Sequence, residues 1–89
     1  MIYFVSNGNN QIKIGYTNDL KRRLSELQVS SSVKLKPIYI IEEGDMVFEH
    51  YIHGLCKKYI IDGEWFKEEV IEDFLLTHPF YKEEMKKIE

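Results

Sequence analysis

Apolar and polar positions alternate over Ile2–Ser6. Ile2, Phe4 and Ser6 fall on one side, Tyr3 and Val5 on the other, the period of two that a strand requires. The run SNGNNQ then predicts a hairpin turn, because Asn and Gly tolerate the positive φ of tight hairpins. A turn centred near Gly8 pairs positions whose numbers sum to about 16, which puts Tyr3 across from Lys13. The return strand, IKIGYT, places Ile12 and Ile14 on one face and Lys13 on the other. Gly15 interrupts it and marks a bulge or a close backbone approach. Thr17 or Asn18 is the expected cap of a first helix, whose buried stripe is Leu20, Leu24 and Leu27 and which VSSS ends.

VKLKPIYIIE reads as a third strand, apolar on both faces in its second half and so expected to be central and covered. Pro37 weakens pairing there and suits a strand start or a bulge. EGDMVFEHYIHGLCKKY predicts a second helix capped by Asp45, with Phe48, Ile52, Leu55 and Tyr59 facing the core. IIDGEWF is expected to be a turn, with Trp65 as a core aromatic closing over helix two. KEEVIEDFLLTH predicts a third helix ended by His78-Pro79, and FYKEEMKKIE a short terminal helix or a frayed tail. The order β-β-α-β-α-α gives one small α+β domain over residues 1–89, a three-stranded antiparallel sheet flanked by helices.

Charge changes the picture. The chain carries a net −3, which argues against strong unassisted binding to nucleic acid. The distribution is uneven, however. Residues 1–37 hold six bases (Lys13, Lys21, Arg22, Arg23, Lys34, Lys36) against two acids, a local +4, while the remainder holds six bases and thirteen acids, a local −7. An anionic partner should therefore dock on the hairpin and first helix. No apolar run approaches the ~20 residues of a membrane helix. No leader is visible at Met1, and the single cysteine, Cys56, fits a reducing compartment; a cytoplasmic or nucleoid setting, virus-encoded or not, is expected.

Two groups of residues can carry chemistry. Tyr3, Lys13, Tyr16 and Arg23 belong to the hairpin and first helix, and Arg23 flanks the buried stripe, where a guanidinium can grip a phosphate bidentately. The plain alternative is a surface Tyr, a solvated Lys and an Arg packing its stem. Glu49 and His53 share a helix face at i, i+4, with Cys56 following at i+7. Glu49 could serve a hard cation such as Mg²⁺, which takes one or two carboxylates and fills its shell with water and phosphate. A Glu-His-Cys zinc site lacks a fourth ligand. The plain alternative is a solvated Glu beside a half-buried His.

The pieces IYFV, KIGYT, RRLSELQ, FEHYIH and GEWF, in this order over Ile2–Phe66, resemble the GIY-YIG endonuclease superfamily, and most nearly its short phage and meiosis-associated branch. The resemblance implies a divalent-metal-dependent endonuclease that hydrolyses DNA phosphodiesters. Tyr3 stands at the tyrosine of the family's first tripeptide, Gly15 at the glycine of the second, Arg23 at the catalytic arginine and Glu49 at the metal-binding glutamate. It implies Mg²⁺ (or Mn²⁺) on Glu49, the phosphate on Arg23, and a tyrosine that helps activate water. Tyr16, Lys21 and Arg22 would line the phosphate-facing edge, and His53 would orient water or pack. Met1 replaces the leading glycine, and Lys13 stands where a tyrosine is usual, as in some restriction enzymes of the superfamily. Lys13 could lower the pKa of Tyr3 or, if desolvated, be the base itself. The family's late asparagine has no match after Phe66, and Glu64 occupies about that region with a negative charge. Affinity for DNA would then come from a partner chain, a homodimer or a special substrate structure. Two other readings stay open: a silent GIY-YIG-like module that binds nucleic acid or protein, and an unrelated small α+β interaction protein.

Overall fold

The computed structural model describes residues 1–88, and Glu89 lies outside the described residues. Its elements are β1 (Ile2–Ser6), β2 (Gln11–Tyr16), α1 (Leu20–Val29), β3 (Lys36–Ile41), α2 (Met46–Leu55), β4 (Ile60–Asp62), β5 (Trp65–Lys67), α3 (Val70–Asp73), α4 (Pro79–Glu84) and β6 (Lys86–Lys87). This is an α+β fold with a wholly antiparallel sheet in the order β4-β5-β2-β1-β3-β6.

The sheet has six strands where the hydropathy pattern predicts three. The strands beyond those three are two or three residues long. β4 and β5 arise from the segment expected to be only a turn. β6 arises inside the expected terminal helix, which instead ends at Glu84. The predicted third helix is also shorter. α3 stops at Asp73, Phe74 leaves helical geometry, and Leu75–Thr77 forms a 3₁₀ turn. Pro79 does not merely end this helix: it opens α4, where its missing N–H costs nothing.

The alternation in β1 separates two cores. Ile2 and Phe4, with Ile12 and Ile14, pack against Ile52 and Cys56 of the α2 segment and against Val70, Ile71, Leu75 and Tyr81. Tyr3 and Val5 face the other way and pack with Leu20, Leu24 and Leu27 of α1, Leu35 and Trp65. The sheet thus carries α1 on one face and the remaining helices on the other. The expected leucine stripe is correct, but the cap is Asp19, whose side chain accepts from the Arg22 N–H, and neither Thr17 nor Asn18. Asp45 caps α2 as expected, accepting from the Phe48 N–H. On α2 the core face is rotated slightly. Leu55 is exposed, and Cys56 takes the fully buried place expected of it.

The hairpin register also differs from the expected one. Partners sum to 18, so Tyr3 lies opposite Gly15 and Lys13 opposite Val5. Lys13 is then the diagonal neighbour of Tyr3. Pro37 sits where β1–β3 pairing shifts by one residue, in agreement with the expected bulge. β3 is not central, since β1 and β2 hold the centre, and it is only partly covered: Ile41 is fully buried, and Ile38 and Tyr39 pack half-buried against the core.

Candidate active site

Gly15 fixes the position of Tyr3. The phenol ring lies directly across the Gly15 backbone, so a Cβ added there would overlap the Tyr3 hydroxyl and ring. This is the close approach that a glycine inside a strand announces. Tyr3 is only 1% exposed and cannot move aside without repacking α1. Gly15→Ala should therefore cost about 1–3 kcal/mol, as overpacked cores do. Urea denaturation measures it, and a midpoint equal to wild type would mean that the ring is not held against the strand.

From this position the Tyr3 hydroxyl accepts a long hydrogen bond from Arg23 Nε, 3.4 Å, across from α1. Burial pushes the phenol pKa above its ordinary 10, the Arg23 bond and charge pull it down, and the carboxylates of Glu64 and Glu49 push it up, for a net rise. The expected lowering by Lys13 is corrected here, because the cation that favours the phenolate is Arg23. Lys13 points its charge elsewhere. Its Nζ lies 3.2 Å from Glu64 Oε1 and 5.5 Å from the centre of the Trp65 ring. Its side chain is largely buried, unlike the solvated lysine of the plain reading.

Glu64 and Trp65 arrive through the β4–β5 hairpin. β5 pairs with β2 only as far as Lys13 opposite Trp65, and the Ile14 N–H then bonds to the Glu64 carbonyl. Past that point the edge of β2 is open, and α2 reaches over it. His53 Nε2 donates to the Ile14 carbonyl at 2.7 Å, which requires the proton on Nε2. Its ring also meets Phe66 edge-on at 5.1 Å. Phe66, not Trp65, is thus the aromatic that closes over α2, while Trp65 lies on the α1 side.

One turn before His53, Glu49 is 8% exposed, the one buried charged residue among the described residues. Its carboxylate has His53 Nε2 at 3.7 Å and accepts no hydrogen bond among the described residues. One donor atom each from Glu49, His53 and Glu64 lie within 4.8 Å of one another. The chemistry of this set suits a hard divalent cation: two carboxylates converge, and His53 is committed to Ile14 as a positioning group. Cys56 does not join it. Buried in the core with its thiol pushed up to about 12, it stays protonated, whereas thiolate is the form that binds zinc.

The structure therefore brings Tyr3, Lys13, Arg23, Glu49 and His53 to one edge, although α1 and α2 lie on opposite faces. Tyr16 and Lys21 make no side-chain hydrogen bond or ion pair with this set among the described residues, while Arg22 lines the same hollow as Arg23 and shares Glu26 with it. The Tyr16 hydroxyl donates to Asn18, Lys21 is exposed, and Arg22 pairs with Glu26 at 3.6 Å. Arg23 also touches Glu26, at 3.5 Å. Exposed pairs of this kind are worth about 0–1 kcal/mol, so a phosphate can displace Glu26. Glu64 is the member that the motifs left without a role; its signal was its place in GEWF directly after a turn glycine.

Among curated proteins and among solved structures nothing matches this chain. The model of the T5orf172 domain matches residues 1–87, and the protein belongs to that family.

Proposed function

We propose that the chain is a divalent-metal-dependent endonuclease of GIY-YIG type that hydrolyses phosphodiester bonds in DNA. The observation that carries the reading is the meeting of a phenol–guanidinium pair, Tyr3 and Arg23, with the Glu49 carboxylate cluster at one open strand edge. The resemblance over Ile2–Phe66 supports it. In this reading β2, β1 and β3 with α1 and α2 are the GIY-YIG-like unit, and the short strands β4–β6 extend it.

Each residue has a task. Arg23 exchanges Glu26 for the scissile phosphate and holds it through two N–H groups. Glu49, with His53 fixing the edge beside it, would hold Mg²⁺ or Mn²⁺. When bound, that cation supplies charge stabilisation at the phosphate oxygens. Tyr3 moves a proton at its hydroxyl, which at neutral pH is protonated and turned to Arg23. Exposed Lys21 and Arg22, with Tyr16, extend the basic side along which a strand would run. The net charge of −3 means that a partner chain or a second copy supplies much of the affinity.

A second reading, a module that binds nucleic acid without cutting it, is favoured by one feature. Lys13 is already paired to Glu64, which leaves no free amine beside Tyr3. A nicking assay on supercoiled plasmid separates the two. Nicking should need Mg²⁺ or Mn²⁺, stop in EDTA, and fall by about 10²–10³ in Arg23→Ala, as when one preorganised donor to a developing charge is lost. Retention of plasmid on a gel without any nicking would select the second reading.

A further inference from the structure

Glu49 has a side chain only 11% exposed, and a carboxylate so placed normally has hydrogen bonds or a countercharge beside it. Glu49 has neither at close range: His53 stands 3.7 Å away with its Nε2 proton given to Ile14. Near Glu49 lies a second carboxylate, that of Glu64, which does have a countercharge in Lys13 at 3.2 Å. Glu49, Glu64 and Lys13 therefore carry two negative charges and one positive. Lysine is a point charge on a flexible stem, and its partner Glu64 is 40% exposed, so a stronger cation can take the Glu64 oxygens from it.

We infer that Glu64 is the second carboxylate ligand of the divalent cation, and that Lys13 is the resident counter-ion which the cation displaces. This rests on the reading of Glu49 as the first ligand. Two oxygens on one small cation at about 2.0–2.1 Å stand roughly 3–4 Å apart. The donor atoms of Glu49, His53 and Glu64 already lie within 4.8 Å, so a side-chain adjustment suffices. The lysine that replaces the usual tyrosine then has a reason to be there. It neutralises Glu64 until a cation arrives, and its ammonium, released toward the neighbouring Trp65 ring, retains a favourable partner.

Cation binding tests this directly. Mn²⁺ is titrated calorimetrically, and Tb³⁺ is titrated by luminescence excited through Trp65, the chain's one tryptophan. Glu64→Gln should weaken binding about tenfold or more, since a charged ligand is lost. Lys13→Met should tighten it several-fold, because the competing charge is gone. Glu49→Gln should abolish it. Wild-type affinity in Glu64→Gln, or unchanged or weaker binding in Lys13→Met, overturns the inference while a dead Glu49→Gln leaves the first ligand in place. Wild-type affinity in Glu49→Gln, or no uptake by wild type, removes the first ligand and this inference with it. Both Lys13 and Glu64 keep some exposure, so these variants should fold, and circular dichroism checks that they do.

Discussion

Glu49→Gln is expected to abolish nicking and to leave the fold at least as stable as wild type. Most buried residues behave in the opposite way, with truncation or polarity changes costing stability. Here the residue is 8% exposed, and its carboxylate accepts no hydrogen bond among the described residues. A neutral amide of the same shape keeps the packing over β2 and strands no polar group, since among the described residues no fully buried side-chain nitrogen or oxygen lacks a partner. The activity loss should be large, because a bound cation contributes several kcal/mol at the transition state, on the order of 10³ in rate. A site that carries function at the expense of stability is the expected trade-off. The two measurements are nicking rate and urea midpoint on one preparation. A clear fall in the midpoint would make Glu49 a structural residue, and full activity would remove it from the chemistry.

How much of this site could be read from the chain depends on the kind of contact. Local, periodic features were legible: the strand alternation of Ile2–Ser6, the Leu20–Leu24–Leu27 stripe, the Asp45 cap, and Glu49 and His53 on one helix face. The hairpin register was not. The loop between Ser6 and Gln11 offers three asparagines and a glycine, and both Gly8 and Asn10 take positive φ. Ser6 Oγ accepts from the Gly8 N–H and Asn7 Oδ1 from the Asn9 N–H, so side chains rather than glycine alone set the centre. The short strands were invisible for a different reason. Three residues such as Trp65–Lys67 hold no measurable period, and their pairing to Gln11–Lys13 is a tertiary effect. Glu64 depends on that pairing entirely. Its carboxylate reaches the site because β5 begins only at Trp65 and leaves the Ile14 carbonyl for His53. No spacing in the sequence encodes that gap.

The proton is expected to leave through Tyr3. Tyr3→Phe should lose about 10²–10⁴ in rate, the usual worth of a positioned acid or base, while keeping the ring that packs on Gly15. The pH dependence distinguishes Tyr3 from Lys13. Burial, with Glu64 and Glu49, holds the Tyr3 pKa above 10, so the phenolate fraction grows roughly tenfold per pH unit across the neutral and mildly alkaline range. The wild-type rate should therefore climb from about pH 6.5 to 9.5 without a plateau, and Tyr3→Phe should be both slow and flat. Lys13→Met should keep the climb, because Arg23 is the cation bonded to the hydroxyl. If Lys13 were the base, the pattern would invert, with a surviving Tyr3→Phe and a dead Lys13→Met at every pH. The upper limit of the profile is set by folding. Cys56, ordinarily near 9.0, is raised to about 12 in the fold, and Tyr3 is raised from 10.0. For both groups the folded state holds its proton more tightly than the unfolded state. The stability they contribute is complete below pH 9 and is lost as pH rises through their folded values. A urea midpoint at each pH separates this alkaline loss from catalysis. A flat wild-type rate at pH values where the midpoint is constant would take proton transfer away from Tyr3 and leave the hairpin as a phosphate platform.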